Sequence, residues 1–254
     1  MEKIISLKQF KIQRPEKILY DYPISDVPNL FNQIKSTSLR NHLKKIDSIL
    51  EENNISWEYR NLTKQDYLDW LPYYKEKMDE NNYIIRAEKV WYEEESKKGW
   101  KIKGVFLYKN NKIIGSSIIA LKDNVASFAF KSSDRINFHK HSIGSLMELL
   151  KLREVSKEGN ISTVITRSPN AFGVFNTLGY LDLRLRFGYK PRLNLYADFS
   201  DTVPVNGKGF VLFYGVHKKE LSLYFLQSKD QKNEEYIKNI PVLSGIPFKN
   251  IYYE

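Results

Sequence analysis

The 254-residue sequence contains no cysteine. Disulfides, thiolate metal sites and a cysteine nucleophile are therefore excluded. Histidine is scarce. The chain has four, at His42, His139, His141 and His217, and only the middle two are close in sequence. No metal centre is expected. Long apolar runs are missing as well: no stretch approaches the ~20 residues that a membrane-spanning helix needs. The segment Met1–Tyr20 alternates lysine with apolar residues and lacks the apolar core of a signal peptide. A cytoplasmic protein without a membrane span is expected. Internal repeats and low-complexity tracts are not found.

What is present is an ordinary globular composition, 42% hydrophobic and 28% charged. The length suits one large domain, or one domain with sizeable extensions. Aromatic residues are abundant, with 17 Tyr and 14 Phe. They suit a core and surface rich in tyrosine, or a wide apolar cleft. The net charge of +10 permits contact with nucleic acid, an anionic membrane or a phosphorylated ligand. Most basic residues alternate with acids, as at Lys151, Arg153, Glu154, Lys157 and Glu158, which reads as a solvated helix face. Arg184, Arg186, Lys190 and Arg192 follow Asp182 with no further acid between them.

Periodicity divides the chain into elements. Asp26-Val27-Pro28 opens a helical stretch, with Leu30, Phe31, Ile34, Leu39, Leu43, Ile46 and Leu50 near a helical repeat up to Asn53-Asn54. Ile55–Leu62 alternates as a half-buried strand. Thr63 and Asp66 form the start of a helix carrying Tyr67, Leu68, Leu71, Tyr74 and Met78. A second helix is expected over Tyr83–Lys98, closed by Gly99. Strands follow at Ile102–Lys109, Ile113–Lys122 and Val125–Lys131, joined by Asn110-Asn111 and Asp123-Asn124, which are hairpin signals. Ile143–Glu158 is a helix stopped by Gly159-Asn160, then come a strand at Ile161–Thr166 and a short helix at Pro169–Leu178. Tyr180–Tyr189 alternates as a strand. Beyond it, Gly209–Val216 and Leu221–Gln227 form a hairpin, and Tyr252-Tyr253 ends an aromatic tail.

The loop His139-Lys140-His141-Ser142-Ile143-Gly144-Ser145 stands at the head of the Ile143–Glu158 helix. Helix N-termini present unpaired N–H groups and the positive end of the dipole, so they suit phosphate. The small residues Ser142, Gly144 and Ser145 let a phosphate approach the backbone, although one Gly and two Ser also occur there simply as a cap.

In context this segment resembles the GCN5-related N-acetyltransferase (GNAT) family. That family's signature at its third helix is Gln/Arg-x-x-Gly-x-Gly/Ala, and His139-Lys140-His141-Ser142-Ile143-Gly144 fills the register with His139 and Ser142 as departures. Asn170 and Phe175-Asn176-Thr177-Leu178-Gly179-Tyr180 match its later motif, and Tyr59–Asp66 its first strand and turn. The resemblance covers about residues 55–190. It implies an α/β fold of the α+β type: a mixed, mostly antiparallel sheet flanked by helices. Residues 1–54 would be an N-terminal helical extension and 191–254 a β-rich C-terminal one.

By the same resemblance the chain would move an acyl group, acetyl above all, from acyl-CoA to an amine. The amides of Ile143, Gly144 and Ser145 would cradle a pyrophosphate, with His139, Lys140, His141, Ser142, Asn170 and Phe175 nearby. Strand residues Phe128, Ala129 and Phe130 would flank the pantetheine arm, and an amide near Phe128 or Ala129 would face the developing oxyanion. Acyl carrier protein, facing the Arg184–Arg192 segment, and aminoacyl-tRNA, as in Fem-like relatives of the fold, are the other donors implied. The acceptor would be a small-molecule or peptide amine. Two family features are missing. Val125–Phe130 has no carboxylate to act as base, and Phe175 occupies the slot of the tyrosine acid. Asp134, His139, His141 and Ser168 are the remaining catalytic candidates, against plainer roles as surface loop residues and, for Ser168, a helix cap. With both features missing, a non-catalytic binding protein that keeps the GNAT fold is the alternative reading.

Overall fold

The computed structural model describes residues 3–24, 27–138, 141–167, 174–175, 178–194, 198–205, 207, 209–230 and 247–254. The chain opens with strands β1 (Lys3–Ser6), β2 (Arg14–Pro15) and β3 (Ile18–Pro23). Three short helices follow, α1 (Val27–Gln33), α2 (Thr37–Lys44) and α3 (Ile46–Glu52), then β4 (Ile55–Asn61), α4 (Lys64–Glu80) and α5 (Trp91–Lys97). The central run is β5 (Lys101–Lys109), β6 (Lys112–Lys122), β7 (Val125–Ser133), β8 (Asn137–Phe138), β9 (His141–Ser142), α6 (Ile143–Ser156) and β10 (Thr163–Arg167). The rest comprises β11 (Val174–Phe175), α7 (Leu178–Phe187), β12 (Lys190–Leu193), β13 (Phe199–Ser200), β14 (Thr202–Val205), β15 (Phe210–His217), β16 (Glu220–Ser228) and β17 (Phe248–Tyr253). Among the described residues no helix is long and apolar enough to cross a membrane.

Internal contacts divide the chain into two compact units, residues 23–166 and residues 1–22 with 167–254. The helices of residues 27–52 share a unit with the strands that follow them.

In the unit of residues 23–166 the strands lie in the order β10-β7-β6-β5-β4. β7 and β10 are parallel, and the other neighbours are antiparallel. This is the mostly antiparallel mixed sheet expected. Asn110 and Asn111 both take left-handed backbone (φ 51° and 61°), the geometry a tight hairpin between β5 and β6 requires. Helix α4 packs on one face through Tyr67, Trp70, Leu71, Tyr74 and Met78, against Ile102, Phe106, Ile118 and Ala120 of the sheet. Helix α6 covers the other face. There Gly115 of β6 admits it closely: a Cβ at this glycine would stand 2.6 Å from Met147 Cε and 2.8 Å from Ile143 Cγ2. Helices α1 and α2 then pack on α6 from outside.

That outer layer corrects one expectation. Lys151, Arg153 and Glu154 do not form a wet face: every residue from Ser145 to Ser156 is buried. Arg153 is satisfied by Asp47 of α3 at 2.7 Å and by Glu154 at 2.8 Å. The run expected as one N-terminal helix is three, because Ser36 caps α2 by accepting the Leu39 N–H, and Lys45 lies between α2 and α3 with non-helical backbone. The expected helix over Tyr83–Lys98 is reduced to α5. Its first half is irregular because α4 side chains engage its backbone: Tyr67 Oη donates to the Glu88 carbonyl and Tyr74 Oη accepts from the Arg86 N–H.

In the second unit, β11-β15-β16-β17 form one sheet, with β16 and β17 parallel. β1 pairs β14, β2 pairs β13 and β3 pairs β12. Its core gathers Ile5, Leu7, Val203, Val211, Phe213, Tyr224 and Leu226. The β15–β16 hairpin matches the expected one and turns on Lys218 and Lys219, both left-handed (φ 50° and 68°).

Two expectations fail here. Tyr180–Tyr189 is not a strand: Leu178–Phe187 is helix α7. Its end is a Schellman motif, in which Gly188 (φ 95°) donates to Leu185 and Tyr189 donates to Arg184. The short helix expected over Pro169–Leu178 has β11 within it, paired with Phe213 and Leu212 of β15, and its other residues up to Thr177 lie outside the described ones.

The start of α4 is a full capping box, as expected. Thr63 Oγ1 accepts the Asp66 N–H at 3.1 Å, and Asp66 Oδ2 accepts the Thr63 N–H at 2.8 Å and its hydroxyl at 2.6 Å. These bonds, with Arg60 adding to them, hold the Asp66 carboxyl down at about 2, against an ordinary value of 3.8. A depressed folded-state pKa stabilises the fold above the ordinary value and loses that contribution as pH falls through the folded one. Asp66→Ala should therefore cost about 1 kcal/mol at pH 7. The difference from wild type in urea unfolding should shrink between about pH 4 and about pH 2.

Candidate functional site: the fork of β7 and β10

Strand β7 carries an irregularity on one edge and a short ladder on the other. It pairs β10 over four residues, from Val125 opposite Thr163 to Phe128 opposite Thr166; β10 ends at Arg167, and β7 continues to Ser133. On its other edge Phe128 faces Ile119 and Phe130 faces Ile118, so Ala129 is an extra residue without a partner on β6. The bulge and the end of the β10 ladder are adjacent.

A bulge changes which face the following side chains take. Phe128 is buried beneath the sheet, its ring centroid 4.1 Å from Lys151 Nζ of α6. Phe130 points to the opposite face, with ring centroids 4.8 Å from Trp91, 5.7 Å from Tyr74 and 6.2 Å from Trp70. Ser132 follows Phe130 and joins a buried chain in which Trp70 Nε1 donates to Ser116 Oγ at 2.7 Å and Ser116 Oγ lies 2.8 Å from Ser132 Oγ. Lys131 and Ser133 face α6. A Cβ at Gly144 would lie 3.5 Å from Ser133 Oγ and 3.9 Å from Lys131 Nζ.

The N-terminus of α6 is more self-sufficient than expected. Ser142 is its N-cap, with Oγ accepting the Ser145 N–H at 3.3 Å and lying 3.2 Å from Ser145 Oγ. The Ile143 N–H donates to the Ile136 carbonyl at 3.0 Å, and the Ile143 side chain is fully buried. Two of the three amides proposed for a diphosphate are thus engaged, and no such partner stands at Gly144 among the described residues. His141 and Ser142 form β9, paired with Phe138 and Asn137 of β8. His139, Lys140, Ser168 and Asn170 lie outside the described residues, as does the side chain of His141. Phe175 lies on β11, in the other unit, and its side chain is likewise not described.

Asp134 stands five residues past Ala129, about 16 Å away at ~3.3 Å per residue. It lines a groove of about 590 Å³ with Tyr73, Lys77 and the β5–β6 hairpin, and its Oδ1 is 3.2 Å from Lys77 Nζ. Burial, and after it the charge of Asp134, pushes the Tyr73 hydroxyl above its ordinary pKa. At that distance Asp134 does not reach a group held at Ala129.

Three residues near the fork were not singled out by the sequence pattern: Lys131, Glu148 and Lys151. Glu148 Oε2 is 2.8 Å from Lys151 Nζ and 3.7 Å from Lys131 Nζ. The available signal was the charge at i+4 and i+7 from Gly144 within the otherwise apolar stretch of residues 146–152. The basic segment of the other unit is largely occupied internally: Arg184 is buried over the Tyr189 ring at 4.7 Å, and Arg192 pairs with Asp21 at 2.5 Å. Among the described residues no cluster of three or more His, Asp or Glu could hold a metal.

No protein-family model matches the sequence, and a search of curated proteins finds no match. Among solved structures the chain is similar to FemX, with 8% identity, 73% of this chain and 64% of that chain covered, and a TM-score of 0.51. It is also similar to the C-terminal domain (DUF2156) of a putative lysylphosphatidylglycerol synthetase from Agrobacterium fabrum (10% identity, 81% and 68% covered, TM-score 0.43). A third is a tandem GNAT protein from the clavulanic acid biosynthesis pathway (11% identity, 80% and 62% covered, TM-score 0.43). The chain spans just under two thirds of the FemX chain. At these identities the likeness concerns the fold alone. The fold is GNAT-like.

The bulge can be tested directly. Deleting Ala129 removes the bulge but leaves Phe128 opposite Ile119 and Phe130 opposite Ile118, so both side chains keep their faces. The melting temperature should stay within about 5 °C of the parent. A deletion variant melting lower by about 10 °C or more would show that the extra residue itself supports the core.

Proposed function

We propose that the chain is an N-acyltransferase that takes an activated acyl group, carried by a thioester of coenzyme A, to the amine of a small molecule or peptide. One observation carries this reading: the β7–β10 ladder ends at Phe128 and Thr166, next to Ala129, where β7 bulges away from β6. A parallel pair that ends early beside a bulge leaves strand edge at which an extended donor arm can lie. A backbone amide there suits a carbonyl oxygen as it gains charge.

The chemistry asked of the protein is modest. The amine nitrogen attacks the acyl carbonyl carbon, the C–N bond forms and the C–S bond breaks. The thiolate leaves with the electron pair, and the amine releases a proton. Val125–Phe130 offers no carboxylate to take that proton. The acceptor therefore enters as the neutral amine, and the protein contributes alignment of the two reactants, worth several kcal/mol.

A second reading is favoured by one specific feature. With the Ile143 and Ser145 amides engaged, the α6 terminus offers a diphosphate little beyond Gly144 and the nearby Lys131. A donor that places no diphosphate there fits as well. Aminoacyl-tRNA is such a donor, and the net charge of +10 suits it. An acyl carrier protein is less supported, given the internal pairing of Arg184 and Arg192.

Thermal denaturation with CoA, acetyl-CoA and longer acyl-CoAs should show a rise in melting temperature, since binding to the native state adds RT ln(1 + [L]/Kd). Filter binding of charged and uncharged tRNA at low and high salt tests the second reading. Binding of tRNA without any shift from CoA species would replace the first reading with the second, and binding of neither would overturn both. Gly144→Glu should fold, because its Cβ makes only ordinary contacts, and should lose the CoA-induced shift. A variant that still binds CoA normally would move the phosphates away from α6.

A further inference from the structure

Strand β4 leaves one edge of its sheet open. Among the described residues it pairs only with β5, in an uninterrupted register from Ile55 opposite Lys109 to Asn61 opposite Lys103. The Leu62 N–H donates to the Ile102 carbonyl, which continues this register by one step. In an antiparallel pair, residues that exchange hydrogen bonds alternate with residues that do not. Arg60, Glu58 and Ser56 therefore aim their backbone groups at β5, and Asn61, Tyr59 and Trp57 aim theirs away from it. Among the described residues these outward groups meet one contact, a long one of 3.5 Å from Arg60 Nη1 to the Asn61 carbonyl. Open edges are ordinarily blunted by a proline, a bulge or a very short strand. β4 has none of these over its seven residues.

Charge is the remaining way to blunt an edge, and the charges of β4 match a copy of themselves. Glu58 and Arg60 share the face toward α4, where Arg60 lies over the Phe106 ring at 5.4 Å. They pair with each other at 3.0 Å, and both side chains stay over a third exposed, at 36% and 38%. Tyr59 takes the opposite face, where its hydroxyl donates to Glu158. In a two-fold antiparallel pair, outward residues of one strand must face outward residues of the other, which leaves few registers. With Tyr59 opposite Tyr59 of a second copy, Trp57 faces Asn61 and Glu58 faces Arg60, in both directions. Glu58 and Arg60 then occupy the non-hydrogen-bonded positions, where side chains approach most closely. Moving the centre by one residue either way sets Glu58 against Glu58 or Arg60 against Arg60, and like charges directly opposite are destabilising.

We propose that β4 is a self-association edge, to which a second copy of the chain adds its own β4, antiparallel, about a two-fold axis at Tyr59. Tyr59 exchanges backbone hydrogen bonds with its counterpart, as does Trp57 with Asn61 in both directions. The Glu58–Arg60 pairs of the two copies merge into one ring of alternating charge, which fixes the register. The sheet becomes continuous across the dimer. Because β4 lies at the opposite end of the order β10-β7-β6-β5-β4, both forks stay uncovered by this contact.

Sedimentation velocity on the full chain reads the association. Wild type should be a dimer at about 100 µM and a monomer below about 1 µM, as suits a small interface. Glu58→Lys and Arg60→Glu each set like charges face to face, and each should weaken self-association by about ten-fold or more. Mixed in equal amounts, the two variants place opposite charges at both positions and should recover the dimer, a result that a merely structural role for either residue would not produce. Asn61→Pro removes an outward N–H and leaves the β5 ladder its hydrogen bonds, so it should be monomeric at about 100 µM while melting within about 5 °C of wild type. A wild-type chain that stays monomeric at about 100 µM overturns the proposal. So does a charge variant that dimerises as well as wild type, or a mixture of folded variants that does not associate. If either charge variant fails to fold, the proline variant decides: one that dimerises like wild type places the contact elsewhere and overturns the edge.

Discussion

One extra residue in one strand organises the unit of residues 23–166. Side chains on a strand alternate strictly, so a single insertion exchanges the faces of everything beyond it. At Ala129 that exchange turns Phe128 toward α6, while Phe130 and Ser132 go to the aromatic layer under α4. The two helices on opposite faces of the sheet thus read the same strand in different phases. The ladder to β10 ends beside this point, one residue before β10 itself ends. A packing irregularity and a candidate site lie side by side here.

Much of this was legible in the sequence. The alternation of Ile55–Leu62, the Thr63/Asp66 cap, the Asn110-Asn111 turn and the strands on either side are local signals, and local hydrogen bonding decides them. The bulge was not legible, because Val125–Phe130 is apolar or small on both parities and gives no mark of where the phase changes. Helix α7 was misread for a related reason: Leu181, Leu183, Leu185 and Phe187 alternate as a strand would. Gly188 was the better signal, since a left-handed glycine after a basic turn ends a helix. The helix expected before α5 failed because side chains of α4 occupy the backbone that it needed, an interaction between segments that periodicity cannot register.

The site shows the same division. The position of the α6 terminus and the Ser142 cap followed from the residues at the head of that helix. Its charged row did not, since Lys151, Arg153 and Glu154 have the composition of a surface face. Lys151 meets Phe128 of β7 and Arg153 meets Trp57 of β4 and Asp47 of α3, while α1 and α2, more than 90 residues earlier in the chain, pack on the same helix. Composition describes what a residue prefers, whereas the covering layer decides what it meets.

That covering layer has a consequence for how the chain is made. The α1–α2 segment leaves the ribosome roughly 100 residues before α6 does, so its apolar side must wait for a partner that has not yet been synthesised. Neither piece can complete its packing alone, and closing so long a loop is slow. Translation speed and chaperone supply across this interval should therefore influence the yield of native protein more than the intrinsic stability of either helix does.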